Sequence, residues 1–314
     1  MDDATAGRAV AFAGVFLAVV IVGTALSVGG GVGTAPAISD LNVEPFTGDD
    51  AVATPPPETG ELSMSADASG TVVVVDAAHG NAPDSSLLAP MTNELSEQGA
   101  TVRYYVGSSA GQRLAPVLRE ADAFVVFGGS QRFSDDELEA LAAFSEAGGR
   151  VLVLNEPSGS DAGAGGYDPF GSDVSAPLTP VVSQYGMDFG DGYLFDVHEY
   201  SGNYRNVYAT PTGSSPLTEG VDRLVFHESV SVRGGDTLVT TRETAAKSTT
   251  RRQAAYGVVS RAGDVVVVGD ASVLSRQFLY RADNEVFVSN LLDFLVTGDK
   301  TPDDAPQPPG PQSP

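Results

Sequence analysis

The stretch AFVVFGGSQRFSDDELEALAAFSEAGGRVLVL, residues 123–154, contains the repeating unit on which the fold depends. It opens with an apolar run, Ala123–Phe127, and closes with another at 151–154. Continuous apolar runs are typical of strands buried on both faces, as in a parallel sheet. Between them, Ser134 and Glu137 form the S-x-x-E pattern that begins a helix, and a Gly-Gly pair ends it. The stretch therefore predicts a strand–helix–strand unit.

Upstream, the same alternation of apolar runs and amphipathic segments occurs twice more. Residues 71–75 (TVVVV) and 102–106 predict strands, and residues 86–98 and 112–120 predict the helices that follow them. Three β-α units in succession indicate a parallel sheet covered by helices, with right-handed crossovers.

Beyond residue 154 the pattern changes. Residues 159–210 are rich in Gly, Ser, Asp and Tyr, which predicts an irregular insertion. Strands are then predicted at 224–226 and 237–241, a β-hairpin at 255–260 with 264–268, and a helix at 284–296. The predicted fold class is α/β. We expect a flavodoxin-like three-layer sandwich with a mostly parallel sheet, an irregular insertion and a C-terminal β-hairpin plus helix.

The composition excludes several kinds of chemistry. With no cysteine, the 314-residue chain has no disulfide, thiolate zinc site, iron–sulfur cluster or cysteine nucleophile, and we expect no cofactor. Its 41 acidic residues against 17 basic ones give a formal net charge of −24. Nucleic acid is therefore not an expected partner. Because concentrated salt screens self-repulsion, the charge also indicates adaptation to high salt.

An apolar segment near the N-terminus predicts a membrane anchor. It begins at Ala9, ends at Val28 and has no charge in 20 residues, so as a helix it is about 30 Å long and matches the hydrocarbon core. Arg8 precedes it and the next basic residue is Arg103, which favours a cytoplasmic segment at 1–8 and a domain on the extracellular side. We therefore expect a single-pass protein of the cell membrane. The competing interpretation is a cleaved signal peptide with an A-x-A-like site at 35–37.

The rest of the chain divides by composition. Residues 29–69 are rich in Gly, Pro, Thr and Asp without a sustained period, which predicts a flexible linker. Residues 299–314 form a Pro-rich tail that we expect to be disordered. The folded domain is predicted at 70–298.

Three blocks of sequence carry a resemblance: AFVVFGGS at 123–130, FSDDELEAL at 133–141 and GGRVLVL at 148–154. They resemble the class I glutamine-amidotransferase-like superfamily. More narrowly, they are similar to the auxiliary proteins of gliding-motility-type ABC transporters and to the family of domain of unknown function 4350. The resemblance covers most of 71–296, and its motifs describe a fold more than a site.

The chain departs from the amidotransferase enzymes where these carry their catalytic cysteine. Asn155-Glu156-Pro157 follows Leu154 at that position. Neither Asn nor Pro can act as a nucleophile, and Glu156 has no adjacent histidine in the sequence. The resemblance therefore implies a scaffold without amidotransferase chemistry that associates with a membrane-protein partner.

Polar residues after the predicted strands form one candidate site. A parallel sheet gathers the ends of its strands at one edge, where open α/β folds bind ligands. With His79 nearby, Asp76 and Asp270 could hold a hard cation or polarise a water molecule. The alternative is that such residues only cap helices and turns. The candidate ligand-binding residues are Asp76, His79, Gly128, Gly129, Ser130, Asn155 and Asp270.

A G-x-S-x-G motif at 107–111 places Ser109 between a predicted strand and helix, which is the context of a nucleophile elbow. His198 and His227 are the downstream histidines that could act as its base. The alternative is an ordinary β-α turn, which uses the same residues for positive φ and for capping.

The stretch around residue 200 offers two further hypotheses. Residues 196–199 (DVHE) have the residue types of metal ligands but no second cluster, and a solvated loop is the alternative. Four tyrosines in this stretch predict either packing or an exposed contact surface for another protein. They are Tyr193, Tyr200, Tyr204 and Tyr208.

The sequence accordingly predicts a non-enzymatic accessory or interaction domain of a membrane complex, such as an ABC transporter. One alternative is a sensor that binds a ligand or cation in the strand-end crevice. Another is a serine hydrolase that uses Ser109.

Overall fold

The computed structural model describes residues 60–81, 85–107, 111–155 and 177–300. Its helices are α1 (Ser85–Glu97), α2 (Leu114–Arg119), α3 (Asp135–Glu146), α4 (Thr179–Ser183) and α5 (Asn284–Val296), with 3-10 turns at Pro216–Thr218 and Ser272–Leu274. Its strands are β1 (Val72–Asp76), β2 (Thr101–Tyr105), β3 (Ala123–Phe127), β4 (Arg150–Leu154), β5 (Asp188–Phe189), β6 (Leu194–Phe195), β7 (Asn206–Pro211), β8 (Leu224–His227), β9 (Val232–Arg233), β10 (Asp236–Thr241), β11 (Ala246–Lys247), β12 (Gly257–Ala262) and β13 (Val265–Val268).

A nine-stranded sheet in the order β2-β1-β3-β4-β13-β12-β10-β7-β8 organises the domain. The pairings from β2 to β13 are parallel, and those from β13 to β8 are antiparallel. The predicted α/β class and the predicted hairpin, which is β12 with β13, are both confirmed. The sheet is mixed, however, because β12 runs antiparallel to β13, and β10, β7 and β8 continue the sheet with antiparallel pairings.

Helices cover both faces of the parallel half. Successive side chains of a strand point to opposite faces, so Val73 and Val75 pack with α1 and α5, whereas Val74 packs with α2 and α3. Each such valine is fully buried, which stabilises the fold by about 1.5–3 kcal/mol relative to exposure. The valine runs therefore position the strand ends between two helical layers.

The helix at the centre of the deciding stretch has the predicted start. At the N-terminus of α3, Ser134 and Glu137 form the capping box, and three acidic residues in the first turn complement the helix dipole. After the helix ends, Gly149 lies against the ring of Phe144 so closely that any β-carbon would overlap it. Substitution of Gly149 would therefore displace α3 from the sheet.

The boundary of the predicted linker needs correction. Residues 60–69 were assigned to it, yet Leu62, Met64 and Ala68 are buried in the core. The backbone amides of Ser65 and Ala66 also donate to the carboxylate of Asp293 on α5, each at 2.9 Å. The packed region thus begins before residue 70, because apolar residues in this polar stretch cover the edge of the α1 and α5 layer.

Two other predicted boundaries shift for similar reasons. The predicted insertion ended at residue 210, but β7 (Asn206–Pro211) is a strand of the main sheet. The predicted tail began at 299, but Lys300 is buried, and its Nζ donates to the carbonyl of Arg119 at 3.0 Å. Residues 156–176 and 301–314 lie outside the described residues.

Within the described ranges, no helix combines the length and the apolar character that crossing a bilayer requires. The predicted span at 9–28, the segment at 1–8 and most of the predicted linker lie outside these ranges.

Candidate functional site

The carboxyl end of β1 carries a cluster of buried polar residues around His79. Nδ1 of His79 lies 2.9 Å from both carboxylate oxygens of Asp76, and Nδ2 of Asn81 donates to Asp76 Oδ2 at 2.7 Å. On the other side of the ring, Nε2 lies 3.4 Å from Oε2 of Glu137. The hydroxyl of Tyr105 donates to Glu137 Oε1 at 2.7 Å. Both ring nitrogens of His79 therefore face carboxylates.

The charges around His79 favour its protonated form. Burial alone lowers the pKa of His79, but the hydrogen bond and charge of Asp76, together with Glu137, raise it above its ordinary value. Burial raises the pKa of Glu137, yet the amide of Ser134 and the hydroxyl of Tyr105 bring the net pKa below its ordinary value. When His79 is protonated, the cluster is an imidazolium between two carboxylates. In that state both ring nitrogens donate, which leaves no nitrogen to act as a general base.

The loop after β1 lies directly against the loop after β3. The backbone amides of Ser130 and Gln131 both donate to the carbonyl of His79 at 3.0 Å. The side chain of Asn81 reaches across in the same way and donates to the carbonyl of Phe127 at 3.2 Å. Strand order reverses between β1 and β3, and open α/β sheets bind ligands at such a point. Here direct hydrogen bonds join the two loops across it.

Two glycines permit this close approach. A β-carbon on Gly129 would lie 2.9 Å from the carbonyl oxygen of His79, and one on Gly80 would overlap the hydroxyl of Ser130. Both glycines also have positive φ, 135° and 71°, which L side chains rarely adopt. The predicted residues His79, Gly129 and Ser130 are therefore brought together, as partners in a loop-to-loop contact.

Asp270 is held in a different environment. Its Oδ2 accepts from the backbone amide of His227 at 2.7 Å, and its Oδ1 accepts from that of Ser272 at 2.8 Å. Burial raises the pKa of Asp270 to about 7, against the two hydrogen bonds, and the charge of Glu228 adds to the rise. Asp270 thus fixes the ends of β8 and β13.

The structure does not bring Asp76 and Asp270 together. Strands β1 and β13 are separated by β3 and β4, so three strand spacings place their ends about 14 Å apart. Among the described residues, no group of three or more histidine and carboxylate side chains could hold a metal ion. A cation held jointly by these two aspartates does not fit this arrangement.

The other strand-end candidates make main-chain contacts. The amide of Gly128 donates to the carbonyl of Leu154 at 2.9 Å. The amide of Asn155 donates to Val268, also at 2.9 Å, and its carbonyl accepts from Ala271 at 2.7 Å. Asn155 is fully buried. These contacts tie β3, β4 and β13 together at their carboxyl ends.

The two histidines proposed as bases for serine hydrolase chemistry lie in different parts of the described structure. Ser109 lies outside the described residues, but Gly107 before it follows the edge strand β2. His227 ends β8, and its amide donates to Asp270 just after β13, which is four strands away from β2 in the sheet. Its Nδ1 lies 2.7 Å from Asn206 Oδ1. His198 is exposed, and its amide donates to Asp196 Oδ1 at 2.8 Å. This placement argues against His227 as a base for that serine.

A second candidate site is a surface cluster, named here the aromatic–arginine patch. Its exposed members are Tyr204 and Arg251, and its half-buried members are Tyr193, Phe195 and Arg205. The guanidinium of Arg205 lies 5.3 Å from the ring centre of Tyr193 and 5.6 Å from that of Tyr204. That of Arg251 lies 5.5 Å from Phe195, which meets Tyr204 edge to face at 6.2 Å. Cation–π contacts at exposed sites contribute about 0.5–1 kcal/mol each. The patch is therefore partly preordered.

An ion pair with a buried carboxylate holds Arg205 of the patch in place. Arg205 pairs with Glu228, whose side chain is buried and whose φ of 49° is in the left-handed region. Arg205 Nε also lies 3.2 Å from the hydroxyl of Tyr204. The contact with Tyr204, followed by Glu228, raises the pKa of Arg205 and keeps the guanidinium charged.

Exposed apolar side chains concentrate in the segment that carries most of the patch. In the described part of the chain, five large apolar residues are exposed, and three of them lie within eight residues: Val197 (57%), Tyr200 (43%) and Tyr204 (42%). Tyr208 instead packs beneath the guanidinium of Arg223, at 4.3 Å. Tyr208 is thus packed, whereas Tyr200 and Tyr204 are exposed. A contact surface for another protein at the exposed tyrosines stays a prediction.

Sequence reasoning missed several members of both sites. Tyr105, Asn81 and the second role of Glu137 were not identified, because their partners are distant in sequence. Arg205 and Phe195 were not linked to the tyrosines, although an arginine directly after Tyr204 was an available signal.

Comparison with known proteins identifies a family and solved structures with a similar fold. The family model described as "Domain of unknown function (DUF4350)" matches residues 93–292. A solved structure, the "mmIFT52 N-terminal domain", is similar with a TM-score of 0.55 and 12% sequence identity, covering 72% of this chain and 98% of that one. At this identity the likeness concerns the fold alone. None of the curated proteins matches.

Proposed function

This chain belongs to the DUF4350 family, and from that premise we propose that it is a non-catalytic accessory or interaction domain of a membrane complex. Residues 9–28 hold it at the cell membrane in a single pass, with the domain on the extracellular side of a salt-adapted cell. An ABC transporter is the complex that the sequence resemblance favours.

The finer fold assignment is part of the proposal. The parallel strands follow the order β2-β1-β3-β4-β13 with helices on both faces. That order is the one described for flavodoxin-like folds, and it supports a place in the class I glutamine-amidotransferase-like superfamily, in a branch without the catalytic cysteine.

The observation that carries the proposal is the joined pair of loops at the reversal point of the sheet. The carbonyl of His79 accepts from Ser130 and Gln131 there, and the His79 ring is used by Asp76 and Glu137. A ligand at this point would have to break these hydrogen bonds and expose a buried ion cluster. In other proteins of this fold, polar groups at this position can bind or react with a ligand. In this chain they hold the two loops together.

The experiment is affinity purification of the full chain from its own membranes at native salt, followed by quantitative mass spectrometry. The control keeps residues 1–59 and carries an unrelated folded domain in place of the rest. We expect membrane proteins that are enriched with the full chain and absent from the control. Equal recovery with both would overturn the proposal.

Two experiments test the two alternatives, thermal unfolding at high salt for the sensor and probe labelling for the hydrolase. A divalent cation or a small molecule from a broad panel that raises the melting temperature would favour the sensor. Labelling of Ser109 by a fluorophosphonate probe would favour the hydrolase. Under the proposed function we expect neither result.

A further inference from the structure

We infer that the aromatic–arginine patch is the partner-binding surface and that its occupant is an extended acidic segment of another protein. Carboxylates of that segment pair with Arg251 and the adjacent Arg252, and its apolar side chains pack on Tyr200 and Tyr204. This inference rests on the proposed function, since it names the surface and the chemistry of the partner.

The first argument is the distribution of charge. The whole chain has 41 acidic and 17 basic residues, but residues 190–256 contain eight acidic and seven basic ones. The lobe that presents the patch is therefore nearly neutral on an otherwise strongly acidic protein. An acidic partner segment would be repelled by the rest of the domain, so the repulsion directs it to this lobe.

The second argument is that two arginines of this lobe, Arg251 and Arg252, are available to pair with a carboxylate of another protein. Arg205, Arg242 and Lys247 are engaged in ion pairs. Within the described ranges, Arg251 and Arg252 form no ion pair, and both are exposed. A guanidinium binds a carboxylate through two parallel hydrogen bonds.

The third argument is the way in which Arg251 is held. It has a φ of 56°, a left-handed conformation that is unfavourable for a residue with a side chain. Its amide donates to the carbonyl of Lys247 at 2.8 Å, which closes a tight turn, and its guanidinium is placed over Phe195. Arg251 thus has a strained backbone conformation and a guanidinium that lies over the ring of Phe195.

The fourth argument is composition. Tyrosine and arginine are enriched in protein–protein interfaces and supply much of their binding energy. Tyr204 contacts Arg205, and the exposed Val197 and Tyr200 belong to the same segment of the chain, 193–205. Acidic and apolar side chains in one extended segment would match both kinds of group. An anionic lipid headgroup would interact only with the arginines of the patch. The acidic remainder of the domain would also repel an anionic bilayer surface.

Site-specific photo-crosslinking in native membranes tests the inference. The photoreactive amino acid benzoylphenylalanine replaces Tyr204 in the full chain, and the crosslinked peptide is identified by mass spectrometry. Tyr104 is the matched control, because it is equally exposed (44% against 42%) and lies on the edge strand β2 at the far side of the sheet. We expect a crosslink at position 204 to a carboxylate-rich segment of another protein, and none at 104.

A binding measurement follows with the crosslinked segment as a synthetic peptide. We expect the double substitution R251Q and R252Q to weaken its binding at least about tenfold, and the control R103Q to leave it unchanged. A peptide with Gln and Asn in place of Glu and Asp should bind as weakly to the native chain as the acidic peptide binds to the double variant.

Several outcomes would overturn the inference. They are a crosslink to a second copy of this chain, to its own residues 1–59 or to lipid, a crosslink only at 104, and an uncharged segment at 204. If membrane proteins still co-purify in those cases, the proposed function stands and only the surface is wrong. If no membrane protein co-purifies with the full chain, the proposed function itself fails.

Discussion

The two halves of the sheet both bury carboxylates beside a histidine, but they balance the buried charge in different ways. In the parallel half, the His79 ring lies between Asp76 and Glu137, whose charges raise its pKa. In the antiparallel half, Asp270 has main-chain amides as its donors and Glu228 as a nearby charge. Asp76 has a ring nitrogen of His79 beside it, whereas Asp270 has amide donors instead and burial raises its pKa to about 7. Asp76 and Asp270 are equally buried, so the two halves differ in the charged groups beside these carboxylates and not in burial.

The largest expected effect comes from removing the cation of the parallel half. His79→Ala leaves Asp76, which is fully buried, without its counter-charge. Breaking a buried ion pair in this way costs about 3–5 kcal/mol of unfolding free energy. Chemical denaturation at pH 7 and high salt measures it. The control, His227→Ala, removes a hydrogen bond with Asn206 and a stack on Phe278, and should cost about 1–3 kcal/mol. Equal losses would remove the distinction between the halves.

The pH dependence of stability is the second test. The pKa of Asp270 rises from 3.8 to about 7 on folding, so between these values the folded chain keeps a proton that the unfolded chain releases. Stability should therefore fall as pH rises from about 4 to 7, by up to about 4 kcal/mol at about 1.4 kcal/mol per pKa unit. Asp270→Asn, which is neutral at every pH, should flatten that slope in denaturation series at fixed salt.

The same series distinguishes the His79 cluster. Its raised pKa provides stability that is fully present below pH 6.5 and is lost as pH rises through the folded-state value. That loss should appear above pH 6.5 and should persist in Asp270→Asn. If Asp270→Asn keeps the full slope between pH 4 and 7, then Asp270 is already ionised in the fold, and the contrast is wrong.

A comparison of ion pairs is the third test. Arg205→Gln leaves the buried Glu228 unpaired and should cost about 1–3 kcal/mol, since Arg205 is itself partly exposed. Arg103→Gln breaks the exposed pair with Glu120 in the parallel half and should cost under about 1 kcal/mol. Thermal unfolding of both variants at matched salt measures the difference. A larger loss from Arg103→Gln would mean that burial does not set the strength of these pairs.

The smallest expected effect is at the capping box of α3. Ser134→Ala removes the N-cap hydroxyl and should cost about 1 kcal/mol. Ser96→Ala on α1 removes an exposed hydrogen bond to the Thr92 carbonyl, and should change stability by less than about 0.5 kcal/mol. If the two variants are equally stable, the Ser134 cap contributes no stability of its own beyond the contact between Glu137 and His79.

Local patterns explain how much of the fold was predictable. The valine runs gave β1, β3 and β13, and α5 was placed at 284–296 as found. The short turn at Gly263 gave the β12–β13 hairpin, since such turns depend on nearby residues. The packing of residues 60–69 was not predictable, because Leu62 and Met64 belong to a polar stretch and their partners on α1 and α5 are far along the chain.

The candidate sites divide in the same way. The sequence by itself determined that Asp76, Gly128, Asn155 and Asp270 follow strands, because apolar runs mark where strands end. It also determined the absence of a cysteine nucleophile and the acidic net charge. Only the tertiary structure decided that β3 and β4 separate Asp76 from Asp270, and that the loops at His79 and Ser130 bond to each other. Those facts depend on strand order and on contacts between residues 50 or more positions apart, which no local pattern encodes.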